Sequence, residues 1–163
     1  MRSGPVSSIL SQADQNLMKR EIFILLPVFI FAFAQWHYNL EEAKQIAKKE
    51  HRHILLNFSG SDWCGPCIRM HDEIFESKAF KELADSQLVL VNADFPRNKK
   101  NQLSKQQQQI NDAMADQYNS QGKFPYTLLL NSNGKVLNQW DGFPNESPDD
   151  FATELRNGIL EDR

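Results

Sequence analysis

The chain has 163 residues, 18 basic and 21 acidic, for a net charge of −3 and a mean hydropathy of −0.55. That length suits one compact domain with its own core. The acidic balance and the absence of a basic block exclude a nucleic-acid surface, and two cysteines are too few for a scaffold stapled by several disulfides.

In chain order, Lys19 and Arg20 lead into an apolar run, residues 22–34, that ends in Ala32-Phe33-Ala34. This is the small-x-small form of a secretory cleavage site. A membrane-spanning helix needs about 20 apolar residues. The run is shorter and holds Pro27, so residues 1–34 are expected to be an N-terminal extension and cleaved signal peptide, with an uncleaved anchor as the alternative. Met18 would make a more ordinary start than Met1. Cleavage after Ala34 removes Arg2, Lys19 and Arg20 against Asp14 and Glu21, leaving a domain, residues 35–163, with a net charge of −4.

Asn39 can cap a helix, with Glu42 as its capping-box partner, and Leu40, Ala43, Ile46 and Ala47 then share one face. Residues 53–58 (HILLNF) have the length and apolar character of a strand, flanked by His51 and His53, which are expected to be exposed. From Cys67, Ile68, His71, Ile74 and Phe75 recur at helical spacing. A helix starting near Cys64 puts Cys67 on its core side. Ser77 caps a helical continuation over 77–84, and residues 87–94 (QLVLVNAD) form a second strand.

Residues 95–109 read as an exposed loop entering a helix whose inner face carries Ile110, Ala113, Met114 and Tyr118. Residues 124–131 form a strand, Asn133-Gly134 signals a two-residue hairpin, and residues 135–140 return as its partner. Pro148 suits the first turn of a last helix, with Phe151, Leu155 and Ile159 as its apolar stripe. Strands separated by helices imply an α/β fold with parallel pairing and an antiparallel edge from the late hairpin, that is, a central mixed sheet flanked by helices.

Both cysteines lie in one stretch, Trp63-Cys64-Gly65-Pro66-Cys67. Three readings are open. A structural disulfide here would close a tiny loop, which constrains the unfolded chain least. With His71 four residues on, Cys64 and Cys67 have the spacing of three metal ligands. The third reading is a pair that opens and closes as its function. Haem attachment is set aside because Ile68, not His, follows Cys67.

Trp63-Cys64-Gly65-Pro66-Cys67 at a strand-to-helix junction resembles the active site of the thioredoxin family. Lys123-Phe124-Pro125-Tyr126-Thr127 before a strand resembles that family's cis-proline loop, and Asn133-Gly134 followed by Gly142 its closing hairpin. The likeness covers nearly all of residues 39–160, and SGSDWCGPC is especially similar to exported bacterial members.

The resemblance implies a thioredoxin-like fold and a thiol–disulfide oxidoreductase, exported and periplasmic, needing no cofactor because its two sulfurs carry the electrons. It implies Cys64 as nucleophile, activated at the helix start, and Cys67 as the resolving thiol. A thiolate attacks where a thiol does not, and lowering a thiol pKa from about 8.5 to about 7 raises the thiolate share at neutral pH from roughly 3% to roughly half. Trp63, Gly65 and Pro66 would shape the turn. Phe124, Pro125, if cis, and Gly142 would hold an extended substrate segment by strand-like hydrogen bonds.

Partners would be proteins with disulfides and a membrane-bound electron donor, with no nucleic acid, and the membrane reached only through an uncleaved signal segment. The Gly-Pro dipeptide is similar to reducing members. The family's buried aspartate and its lysine partner match Asn57 and Leu90 here, so both charges are missing. A binding module with one dedicated partner therefore stays open beside the enzyme, as does the Cys/His metal carrier.

Overall fold

The computed structural model describes residues 34–162. The expected signal segment lies outside them except for Ala34. Five strands form one sheet in the order β1-β3-β2-β4-β5. β1 (Trp36–His37) and β2 (His53–Ser59) run parallel to β3 (Leu88–Asp94), while β4 (Tyr126–Leu130) is antiparallel to β2, and β5 (Val136–Asp141) antiparallel to β4. The mixed sheet is as expected. Two features differ from expectation. β1 is an added edge strand of two residues, too short to show a period. A helix separates β3 from β4, yet β4 enters the sheet antiparallel.

The strands alternate cleanly between two faces, as the two-residue period requires. Ile54, Leu56, Phe58, Val89, Val91, Tyr126, Leu128 and Leu130 point to one core. It is closed by α1 (Leu40–Glu50) and α4 (Lys105–Tyr118). Leu55, Leu88, Leu90 and Leu129 point to the other. That face is covered by α2 (Gly65–Arg69) and the π-helical turn Met70–Phe75 that continues it, by α3 (Lys78–Gln87) and by α5 (Pro148–Glu161). Phe80 and Phe151 are fully buried there, each worth roughly 1.5–3 kcal/mol of apolar burial.

Two helix starts follow the caps read from the sequence, Asn39 and Ser77, and the last helix has Ser147 as its cap just before the expected Pro148. The Asn39 side chain accepts from the N–H groups of Glu41 and Glu42, Ser77 from Phe80, and Ser147 from Asp150. The Glu42 carboxylate accepts from the Asn39 side-chain amide at 3.3 Å, in place of the backbone N–H of a capping box.

Several side chains fall elsewhere than expected. Met70, Ile74 and Phe75 are buried, whereas Ile68 and His71 face solvent, because the buried stripe starts from Cys67 and not from Ile68. On α4, Ala113 is exposed and Asn111 is buried in its stead, donating to the Asp94 carbonyl at 2.7 Å. His51 is exposed, but His53 is half-buried against Asp162 at 3.3 Å.

The β4–β5 hairpin has three loop residues, not two. Asn131 and Lys135 close it, the Asn131 carboxamide oxygen accepts from Asn133 and Lys135, and Gly134 alone takes a positive φ, +88°. A two-residue type I′ turn needs φ > 0 at both central positions, and Asn133 does not supply it.

Candidate functional site

The site lies where β2 and β3 end and β4 begins. β2 runs out at Ser59, and the loop Gly60–Trp63 turns the chain into α2. The Cys64 N–H donates to the Gly60 carbonyl at 2.9 Å. Cys64 is the N-cap of α2 and Gly65-Pro66 fill its first positions, where a missing proline N–H removes a donor that has no helical partner in any case. Cys64 and Cys67 are joined, their sulfurs 2.09 Å apart. The Cys67 N–H lies 3.2 Å from the Cys64 sulfur, a contact that stabilises negative charge on that atom when the bond opens. Both cysteines are buried in this oxidised state, Cys64 at 5% and Cys67 at 4% relative exposure, so the expected contrast between a reachable first sulfur and a covered second one is slight. Gly65, Pro66 and Ile68 beside them are exposed, Ile68 at 43%.

The Phe124–Pro125 bond is cis. Neither the N–H nor the C=O of Phe124 has a hydrogen-bond partner among the described residues. Pro125 and Tyr126 are buried beside them. Gly142 bonds back to the Pro125 carbonyl at 2.9 Å with φ +86°, a conformation that favours glycine. Lys123 and Asp141 pair at 2.8 Å across the same corner. The Asp141 carboxylate, first by hydrogen bond and then by charge, raises the Lys123 ammonium pKa above its ordinary value. Thus the residues expected to form the site, Cys64, Cys67, Trp63, Gly65, Pro66, Phe124, Pro125 and Gly142, fall in three stretches of chain, 63–67, 124–125 and 142, the last two joined by the Gly142–Pro125 hydrogen bond. Trp63 joins them, its ring meeting that of Phe124 at 5.4 Å.

Two sets of residues at the site were not foreseen. The first is a polar chain on the sheet face under α2. Thr127 donates to the Asn57 carboxamide oxygen at 3.0 Å, and the Asn57 amide donates to the Asn92 oxygen at 3.1 Å. The Ser59 hydroxyl sits 3.1 Å from both Asn92 and Asp94. The strand register pairs Asn57 with Asn92 and Leu90 with Leu55. The residue facing Asn57 is therefore Asn92 and not Leu90. Among the described residues every buried side-chain polar atom has a partner. A cleft of about 350 Å³ opens over this chain, lined by Cys67, Asn57, Ser59 and Asn92 together with Ile68 and His71.

The second set is the segment after β3. Asp62 accepts from the N–H groups of Arg97 and Asn98 at 2.9 and 2.8 Å and from the Asn101 amide at 3.0 Å. Chiefly the Arg97 N–H, against some desolvation, holds the Asp62 carboxyl below the usual aspartate range. The Trp63 indole N–H donates to the Phe95 carbonyl at 2.7 Å, Phe95 packs edge-on against Phe124 at 5.5 Å, and the Arg97 guanidinium lies 3.6 Å above the Trp63 ring. Nothing periodic in the sequence marks this loop as part of the site.

His71 is exposed, with Nδ1 3.0 Å from Asp72 and Nε2 3.8 Å from Glu76. Among the described residues no three His, Cys, Asp or Glu side chains gather as a metal site.

A cysteine pair bonded at a helix start and faced by a cis-proline loop defines a thioredoxin-like redox domain. Residues 40–159 match the thioredoxin-like domain family, and the chain belongs to that family. It is similar to the disulfide bond reductase DsbH of Chlamydia pneumoniae, 40% identical over 103 residues that make up 63% of this chain and 60% of that protein. It is also similar to the thioredoxin-related protein DsbJ of the same bacterium, 27% identical over 120 residues, 74% of this chain and 34% of DsbJ. The chain thus spans about three-fifths and one-third of the length of these curated relatives. Among solved structures, that of a DsbH oxidoreductase matches with a TM-score of 0.71 at 32% identity, over 79% of this chain and 86% of that one.

Proposed function

We propose that this chain is an exported thiol–disulfide oxidoreductase that reduces protein disulfides by cycling Cys64 and Cys67 between dithiol and disulfide. The observation that carries the reading is the Cys64–Cys67 bond at the start of α2, set beside the unpaired backbone of Phe124. In the reduced chain the Cys64 thiolate attacks one sulfur of a substrate disulfide. A Cys64–substrate bond forms, and the other substrate sulfur leaves as a thiolate and takes a proton. Cys67, once deprotonated, attacks the Cys64 sulfur. The Cys64–Cys67 bond returns, and the second substrate sulfur leaves. Two electrons have then passed to the substrate.

Trp63, Gly65 and Pro66 hold the turn that keeps the two sulfurs in reach. The Phe124 N–H and C=O bind an extended substrate segment as a strand edge would, with Pro125 and Gly142 as its floor. In this reading residues 1–34 direct export and residues 35–163 are the working domain. A membrane-bound donor in the periplasm restores the dithiol. The reducing direction agrees with the printed name of the relative DsbH.

A second reading, a binding module with one dedicated partner, draws on Asn57, which cannot take up a proton as a carboxylate does. One experiment separates the two. Reduced protein is mixed with a peptide disulfide, and Cys67→Ala is expressed in cells to trap mixed disulfides. The enzyme reading expects rapid peptide reduction that Cys64→Ser abolishes, and many trapped proteins. A single trapped protein favours the dedicated module, and reduction that survives Cys64→Ser overturns the enzyme reading.

A further inference from the structure

We infer that Arg97 selects substrate segments that carry a carboxylate within a residue or two of the attacked cysteine. The inference rests on the oxidoreductase reading and names the class of polypeptide its groove takes. The domain as a whole is acidic, yet residues 95–109 carry Arg97, Lys99, Lys100 and Lys105 and no acid. Among the described residues none of these four cations has an ion-pair partner, a state they share with Lys48, Lys49, Lys135 and Arg156, but these four alone lie together in one segment beside the site.

Arg97 is also held in place. Asp62 binds its backbone N–H and that of Asn98. The Gln102 amide ties the Pro96 carbonyl at 3.0 Å. The guanidinium rests on the ring of Trp63, the residue that precedes Cys64. An arginine stacked in this way keeps its fork of donors free along its edge, and that fork matches a carboxylate. Trp63, Phe95 and Phe124 form the apolar wall beneath it, and the free backbone of Phe124 supplies strand pairing. A strand advances about 3.3 Å per residue and its side chains alternate between faces, so a segment paired there and attacked at its cysteine presents one of its next two side chains on the Arg97 side. The nearby acids do not cancel the cation. Asp62 is occupied by loop donors and Asp94 by Ser59 and Ser61, which leaves Asp112 on α4 as the one competing carboxylate in the hollow beside Trp63.

The test uses two peptide disulfides that differ only in Glu or Gln beside the cysteine, reduced in single turnover by the full chain. The wild type is expected to reduce the Glu peptide about three- to fivefold faster, the range of one partly exposed ion pair, with the preference shrinking in high salt. Arg97→Met should bring the ratio to one. Lys135→Met, which removes the same charge at the far end of the sheet, should leave the ratio as it was. The same two peptides with Ser for Cys, fluorescently labelled, read affinity without chemistry. A Glu preference in affinity that Arg97→Met removes supports the selection even if no peptide is turned over, a result that would instead overturn the oxidoreductase reading. Equal Glu-to-Gln ratios in wild type and Arg97→Met, by rate and by affinity, overturn the selection itself.

Discussion

On its Trp63 flank, the Cys64–Cys67 bond is walled by three aromatic rings and a cation held by hydrogen bonds from a neighbouring loop. Under Cys67 the same bond overlies Asn57, Asn92, Ser59 and Thr127, all uncharged, beside a cleft of about 350 Å³. One flank is built of aromatic rings and a cation, and the other of uncharged amides and hydroxyls beneath a cleft whose outer rim carries His71 and Asp72. Recognition gains from fixed groups, because holding a segment in reacting geometry lowers the barrier. Proton removal can be left to water where water reaches the site. A neutral, fully paired chain also avoids the desolvation cost of a buried ion pair. In the proposed function, the contrast between the flanks would divide the work of the site, substrate on one side and proton on the other.

The sharpest way to break that division is Gly60→Ala. A Cβ at this position would run into the Trp63 indole, a rigid ring tied at both Nε1 and its face. Overpacking of this kind costs about 1–3 kcal/mol, which denaturant unfolding will show as a lower midpoint. Displacement of Trp63 dismantles the aromatic wall, and single-turnover reduction should fall roughly tenfold or more, since an ångström of misplacement can cost about 100-fold. Loss of stability with reduction intact would remove Trp63 from the substrate flank.

The opposite flank is probed by giving it a charge. Asn57→Asp with Asn92→Lys places an acid and its counter-ion at facing strand positions. If deprotonation of Cys67 limits the release step, decay of the mixed disulfide should quicken roughly tenfold, short of the roughly 100-fold or more that a well-positioned base contributes, with little or no gain in stability. An unchanged release rate in stopped-flow would mean that water in the cleft already suffices.

The two flanks were also unequally legible in the sequence. The Cys64–Cys67 turn and the strands β2, β3 and β4 follow from local patterns, a motif and short apolar runs, with caps at Asn39 and Ser77, and the Pro125 loop follows from the family resemblance. The partner of Asn57 did not follow, because register is a tertiary fact. A shift of two residues preserves the period and puts Leu90 where Asn92 belongs. β1 was missed because two residues carry no period. The loop at 95–104 was read as solvated, correctly by composition. What composition hides is a single carboxylate, Asp62, thirty-odd positions earlier, that captures its backbone.

That carboxylate gives the smallest effect and the most specific one. Donation from Arg97, Asn98 and Asn101 depresses the folded pKa of Asp62. A group shifted downward contributes stability that is fully present above its unfolded pKa, about 3.9, and is lost as pH falls through the lower folded value. The clamp should therefore hold at every pH above about 4 and release below it. Arg97 would then leave the Trp63 ring, and Trp63 emission, read with Trp36 and Trp140 replaced by Phe, would change in a step confined to that acid window while far-ultraviolet circular dichroism stays native. In Asp62→Asn no charge remains to be titrated, so the released signal should appear at neutral pH and the acid step should vanish. A step of the same size in Asp62→Asn would show that Asp62 is not the group that releases the loop, and the Trp63 flank would then stand without its clamp.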